Sequence, residues 1–164
     1  MSIEESKAIV RRYIEGLNRR NVSVIDEVIA ENLTVQILHH SPPSAPEWVG
    51  REAVHQGYLR NIMTYPDYHV TIEEILAEDD RVVLYWTHRG THQGDFSPEE
   101  ASGSAIAPTG KVITGAAITL YRIVDGQIAE MRTLWDRADT WQQFGLIPAE
   151  DEILQTCKGE VVAP

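Results

Sequence analysis

The stretch MRTLWDRADTWQQFG, residues 131–145, sets an acid, Asp136, between Trp135 and Arg137, where an apolar run gives way to a short helix. A carboxylate in that place either caps the helix or moves a proton. Strict alternation along 127–136 puts Ile128, Glu130, Arg132, Leu134 and Asp136 on one face of a strand. If that face lines a cavity, Asp136 enters it on the same side as Arg132, about 13 Å away along an extended chain. Arg132 would favour the ionised carboxylate, whereas burial against Trp135 and Leu134 would raise its pKa. A base removing a proton next to a carbonyl works best with such a raised value, near the working pH. Capping is the alternative, because Asp before a short helix is a common N-cap. Asp139 and Thr140 stand nearer the helix, however, and fit that cap better.

Histidines are the next reagents. Along 81–92, Val82, Leu84, Trp86 and His88 alternate with Val83, Tyr85, Thr87 and Arg89, and His92 follows beyond Gly90. His88 or His92 could donate a hydrogen bond to a developing enolate oxygen or relay a proton. The plainer alternative for either is an exposed or satisfied polar residue. On a strand the HRGTH spacing keeps both rings on one face but about 13 Å apart, too far to share an ion, so no metal site is expected. His39 and His40 are adjacent, so at most one of them turns inward. Tyr13, Trp48, Tyr58, Tyr65, Trp86, Tyr121 and Trp141 fall on apolar faces, most of them as core. A subset suits stacking on a flat, apolar, polycyclic ligand. The expected substrate contacts are Arg132, Trp86, His39, Tyr13, Tyr58 and Trp135. The acid pairs Glu73-Glu74 and Asp79-Asp80 read as a solvated edge and a turn.

These side chains need elements to hold them. Ser2 and Glu5 form a capping-box pattern before a helix carrying Val10, Tyr13, Ile14 and Leu17 on one face. A second helix starts at Ser23 and carries Ile25, Val28 and Ile29; residues 33–38 form a short strand. Gly50 opens a third helix, with Val54, Tyr58 and Ile62 inward, ending near Tyr65-Pro66. The period then changes from 3.6 to 2. Strands follow from Tyr68 to the Asp79-Asp80 turn, over 81–91, over 112–124, and over 127–135 beyond an Asp125-Gly126 hairpin. Residues 93–110 form a long excursion, and 139–144 a short helix closed by Gly145. The small residues Gly115, Ala116 and Ala117 provide either close backbone packing or a pocket wall. The pattern is α+β: a mostly antiparallel, strongly curved sheet wrapped over N-terminal helices and enclosing a pocket.

Length and charge narrow the function. A chain of 164 residues is one domain, 1–164, with a core over 5–148 and an acidic tail over 149–164. A formal charge of −11 without a basic cluster argues against nucleic acid or an anionic membrane as partner. The single Cys157 excludes an intramolecular disulfide, and no apolar run of membrane length occurs, so a cytoplasmic location is expected.

Several stretches resemble one family: VRRYIEGLNRRNVSVIDEVIAENL, GREAVHQGYLRNIMTYPDYHVTIEEILAE, DDRVVLYWTHRGTHQGDF, PTGKVI, YRIVDGQIAE and WDRADTWQQFGLIP. In order and spacing they are similar to the SnoaL-like polyketide cyclases. These lie within the cone-shaped nuclear-transport-factor-two-like superfamily that also holds ketosteroid isomerase and scytalone dehydratase. The resemblance implies ring closure by intramolecular aldol condensation without metal or organic cofactor. It also implies Asp136 as the acid/base, and a homodimer paired through the sheet. Where relatives often carry His and Trp on the last strand, this chain has Met131 and Arg132. Two other readings stay open: epoxide opening or dehydration in the same kind of pocket, and non-catalytic binding of a small molecule.

Overall fold

The computed structural model describes residues 1–38, 48–96, 105–148 and 152. At its start the Ser2 and Glu5 side chains cap one another's backbone amides and open α1 (Ile3–Asn18), which buries Val10, Tyr13 and Ile14. The α1 helix packs tightly on α2 (Val24–Val28): a methyl at Gly16 would lie within 2.5 Å of Val24. The expected second helix ends at Val28, one residue before the last apolar position assigned to it, Ile29. Ile29 already begins β1 (Ile29–Ile37), and it is fully buried there. After β2 (Trp48–Val49), Gly50 at φ 93° turns the chain into α3 (Arg51–Thr64), a conformation that favours glycine.

The remaining chain is a meander: β3 (His69–Glu78), β4 (Arg81–Thr91), β5 (Val112–Val124) and β6 (Gln127–Trp135), followed by α4 (Arg137–Phe144). The six strands form one curved sheet in the order β2-β1-β6-β5-β4-β3, antiparallel except where β1 runs parallel to β6. The expected α+β architecture is therefore present, with the helices over the concave face of an unclosed sheet. Fully buried Val10, Ile25, Leu33, Leu84 and Ile128 lie between the layers. Each such side chain contributes about 1.5–3 kcal/mol through burial.

Two bulges in the β3–β6 meander bend the sheet and reset its faces. One inserts Glu73 between Ile72 and Glu74 of β3; the other inserts Ala129 between Ile128 and Glu130 of β6. A bulge puts two residues opposite one and so inverts the alternation beyond it. Buried Ile128 is therefore followed on the inner face by Met131 and Thr133, while Leu134 is 52% exposed. The single face expected for Ile128, Glu130, Arg132, Leu134 and Asp136 does not exist, because the bulge splits it.

Candidate functional site

A cavity of about 230 Å³ lies between the inner sheet face and helices α1 and α3. Tyr13, Ile14 and Leu17 of α1 and Val54, Tyr58 and Asn61 of α3 form its helical wall. Tyr68, Trp86, Thr119, Tyr121, Met131 and Thr133 form its floor on the sheet side. Alternation along β4 and β5 dictates that floor, since every second residue of each strand turns inward. Three residues expected to contact substrate, Tyr13, Tyr58 and Trp86, line it.

The polar groups in the wall are mainly donors. The Trp86 indole donates to Thr119 Oγ1 at 3.0 Å, and Thr119 Oγ1 lies 3.0 Å from Thr133 Oγ1. Tyr58 donates its phenol proton to the Leu17 carbonyl at 2.8 Å. Burial pushes the phenols of Tyr13 and Tyr121 far above their ordinary range and that of Tyr68 up to about 12. All three are neutral proton donors at physiological pH. Among the described lining residues there is no carboxylate and no imidazole, and exposed Arg60 is the one formal charge.

His88 comes next along the inner face of β4. Its ring packs 5.8 Å from Trp86 and 5.4 Å from Tyr68, both of which line the cavity. The ring has space because its strand partner is Gly115, where a methyl would come within 2.5 Å of Nε2. The small residue at 115 thus serves His88 rather than the cavity itself. Burial lowers the His88 pKa, opposed by the nearby Asp139 carboxylate of α4. The ring is neutral at pH 7 and able to donate or accept.

Asp136 stands differently from expectation. It is exposed, has extended backbone angles (φ −79°, ψ 94°) and caps α4, its Oδ1 accepting from the Asp139 amide at 2.9 Å. The cap belongs to Asp136, not to Asp139 or Thr140, because the helix starts at Arg137. Asp136 therefore lies off the cavity wall, at the end of the strand that supplies Met131 and Thr133 to it. Arg132 points to the outer face and pairs with Glu130, so it neither enters the cavity nor pairs with Asp136. Trp135, half-buried opposite Ala117, also falls outside the lining.

His92 is fully buried outside the cavity wall, in a cluster with Tyr65, Phe96 and Phe144. The Thr109 amide donates to its Nδ1 at 3.1 Å, so that nitrogen is unprotonated. His92 fastens the chain after β4 to the segment before β5 and serves packing in this fold. His39 lies outside the described residues, as do Cys157 and nearly all of the tail.

Arg60, Asn61, Thr119 and Thr133 are polar lining residues that spacing did not single out. Continued from the Asp125-Gly126 turn without a bulge, the hairpin register would set Thr119 opposite Arg132; the bulge sets it opposite Thr133. The alternation that made Tyr121 a candidate already places Thr119 on the same face. Among the described residues no helix is long and apolar enough to cross a membrane, and no group of three or more His, Cys, Asp or Glu could hold a metal ion.

Comparison with known proteins adds the remaining information. The family model for SnoaL-like polyketide cyclases matches residues 7–144. The chain is 27% identical over 150 residues to aklanonic acid methyl ester cyclase AcmA from Streptomyces galilaeus, covering 87% of this chain and 92% of that one. Among solved structures it is similar to AclR from Streptomyces galilaeus, described as a hydroxylase, with a TM-score of 0.76 and 21% identity over 98% of this chain and 93% of AclR. It is also similar to a protein from Jannaschia sp. CCS1 described as a SnoaL-like polyketide cyclase, with a TM-score of 0.73 and 22% identity over 90% of this chain and 97% of that one. At those identities the structural likeness establishes the fold, whereas the family match extends through the cavity, the β6 bulge and the α4 cap. The chain belongs to the SnoaL-like polyketide cyclase family and is an enzyme of the cyclase type.

Proposed function

We propose that the protein closes a ring in an apolar, carbonyl-bearing molecule of the polyketide class by an intramolecular aldol-type addition. Asp136 takes a proton from the carbon between two carbonyls. That carbon attacks a third carbonyl elsewhere in the same molecule, forming the carbon–carbon bond, and the resulting alkoxide recovers the proton from Asp136. Neutral His88 hydrogen-bonds the enolate oxygen. A methylene flanked by two carbonyls is acidic enough for a carboxylate to serve as the base.

The observation that carries this reading is the course of β6. Met131 and Thr133 line the cavity, and Asp136 stands exposed at the end of the same strand, off the cavity wall, with only its Oδ1 engaged by the cap. Among the described residues Asp136 Oδ2 accepts no hydrogen bond, so one oxygen orients the group and the other is available. The wall residues then supply shape and donors, and the strand end supplies the base. The name of the relative AcmA supports an ester-bearing polyketide as the first substrate to try.

The test is cyclisation of β-polycarbonyl compounds, beginning with aklanonic acid methyl ester, by the wild type and by Asp136→Asn. Loss of at least about 100-fold in kcat is expected, the usual contribution of a positioned acid/base. An unchanged kcat removes Asp136 from the mechanism.

Two copies are also proposed to pair through the outer sheet face. Tyr85, Ile118 and Leu134 stand opposite one another across β4, β5 and β6, at 41%, 48% and 52% exposure. Exposed apolar rows of this kind mark interaction surfaces. Ile118→Glu is expected to give monomers in sedimentation; a wild type that sediments as a monomer refutes the pairing.

A further inference from the structure

Helix α3 presents two parallel rows of side chains to the cavity. Val54, Tyr58 and Asn61 form one row; Ala53, Gly57 and Arg60, at the same i, i+4, i+7 spacing, form the other. Tyr58 is buried and Arg60 exposed, so the second row is the rim. Gly57 stands in the middle of that rim, although glycine inside a helix is destabilising relative to alanine. Close packing does not require it there: a methyl at Gly57 would meet only Arg60 Nη2, at 3.9 Å. The glycine therefore leaves an open shelf beside the cavity, and the guanidinium of Arg60 lies at its edge.

Arg60 has no partner in that position. Its neighbours three and four residues away on the helix, Gln56, Gly57, Met63 and Thr64, include no acid. Among the described residues it makes no hydrogen bond and no ion pair. Arg12, Arg51, Arg89, Arg122 and Arg132, by contrast, each reach a carboxylate, in keeping with a chain of formal charge −11. The other lining residues carry no formal charge, so nothing in the cavity wall neutralises the guanidinium. A guanidinium presents its N–H groups as a planar fork that matches the two oxygens of a carboxylate. An apolar chamber with such a fork at its rim fits a molecule with an apolar body and one anionic end.

We propose that Arg60 holds a carboxylate of the ligand at the cavity rim, with the ligand's apolar body passing over Gly57 into the chamber. The inference rests on the cavity being the substrate site and adds the group read at its mouth, an acid, where the substrate tried first is an ester. The net negative charge of the chain repels anions at long range, so the contact acts at close quarters, by orienting the ligand. A ligand anchored at one end enters in one orientation, which fixes the carbonyls that face the sheet.

The test uses two probes of nearly one shape, 9-fluorenone-2-carboxylate and its methyl ester, in calorimetric titrations of the full chain near neutral pH, where the acid is ionised. Wild type is expected to bind the acid at least about fivefold more tightly than the ester at low ionic strength, a margin that shrinks as salt screens the charges. Arg60→Gln brings the two probes within about twofold of each other, while the ester keeps its affinity and shows that the cavity is intact. Arg60→Lys retains the charge without the planar fork and falls between them. Equal binding of acid and ester by wild type, binding of neither, or an acid preference that survives Arg60→Gln overturns the proposal. Because binding alone is read, Asp136→Asn keeps the preference. Failure of the acid/base assignment therefore appears in the cyclisation assay, and failure of the anchor in these titrations.

Discussion

His88 and His92 sit four residues apart on one strand run, yet the fold puts them to opposite uses. His88 has a glycine beneath it, two cavity-lining aromatics beside it and the first turn of α4 nearby. His92 is sealed by Tyr65, Phe96 and Phe144, and its Nδ1 is held by the Thr109 amide. Around it the chain docks on the end of α3: Gln93 and Gly94 donate to the Thr64 carbonyl at 2.9 and 3.0 Å, and the Thr64 hydroxyl donates to the Asp95 carbonyl at 3.0 Å. One region keeps space and unspent hydrogen bonds. The other fills its space, although the buried His92 Nε2 has no hydrogen-bond partner among the described residues. A histidine's type and strand position thus say less about its role than the volume left around it.

The comparison breaks most visibly at Phe144, which stacks on Phe96 at 4.9 Å and meets His92 edge-on. Phe144→Ala is expected to cost roughly 3–5 kcal/mol in chemical denaturation, the range for emptying a buried aromatic site. Catalysis by the folded fraction should change little. A loss below about 1 kcal/mol would show that the cluster is not a packed unit.

Exchanging one histidine at a time separates the regions further. His88→Gln should lower kcat about 100-fold, as removal of an oxyanion donor does, with little change in stability. His92→Gln should lower stability by roughly 2 kcal/mol and leave kcat near the wild-type value. The reverse pattern would exchange their roles.

Acid should expose both rings. Burial holds each imidazole below its ordinary value, so the folded state stays neutral while the unfolded chain takes up protons below about pH 6.5. The stabilisation is complete above that pH and is lost as pH falls toward the folded values, by up to about 1.4 kcal/mol per unit and group. His88→Gln is expected to flatten this limb in urea titrations between about pH 7 and pH 5. An unchanged slope means that His88 titrates normally.

The smallest effect is expected at Gly115. A methyl there meets only the far end of the His88 ring. Gly115→Ala should cost roughly 1 kcal/mol while turning the ring and reducing kcat, with His92 undisturbed. Wild-type kcat in that variant would separate ring orientation from catalysis.

Much of this molecule can be read directly from its sequence. The capping box at Ser2, the inward spacing of Val10, Tyr13 and Ile14, the Asp125-Gly126 turn and the alternation of β4 and β5 are local patterns, and each appears as written. So do the α+β architecture and the aromatic cavity wall at Tyr13, Tyr58 and Trp86. Local patterns suffice there because period and turn chemistry depend on neighbours within a few residues.

The site was legible only in part. Which face of β6 looks inward depends on one extra residue, Ala129, and a bulge is selected by the curvature that the whole sheet adopts over the helices. That residue sends Arg132 outward, brings Thr133 to Thr119 and leaves Asp136 to cap α4. Whether His88 or His92 is sealed depends on Phe144, which arrives from a distant part of the chain and stacks on Phe96 beside His92. Sequence determined the elements and their apolar faces through short-range sterics and burial. Tertiary structure decided register and free volume, because both are set by the packing of strands and helices that meet only when the chain has folded.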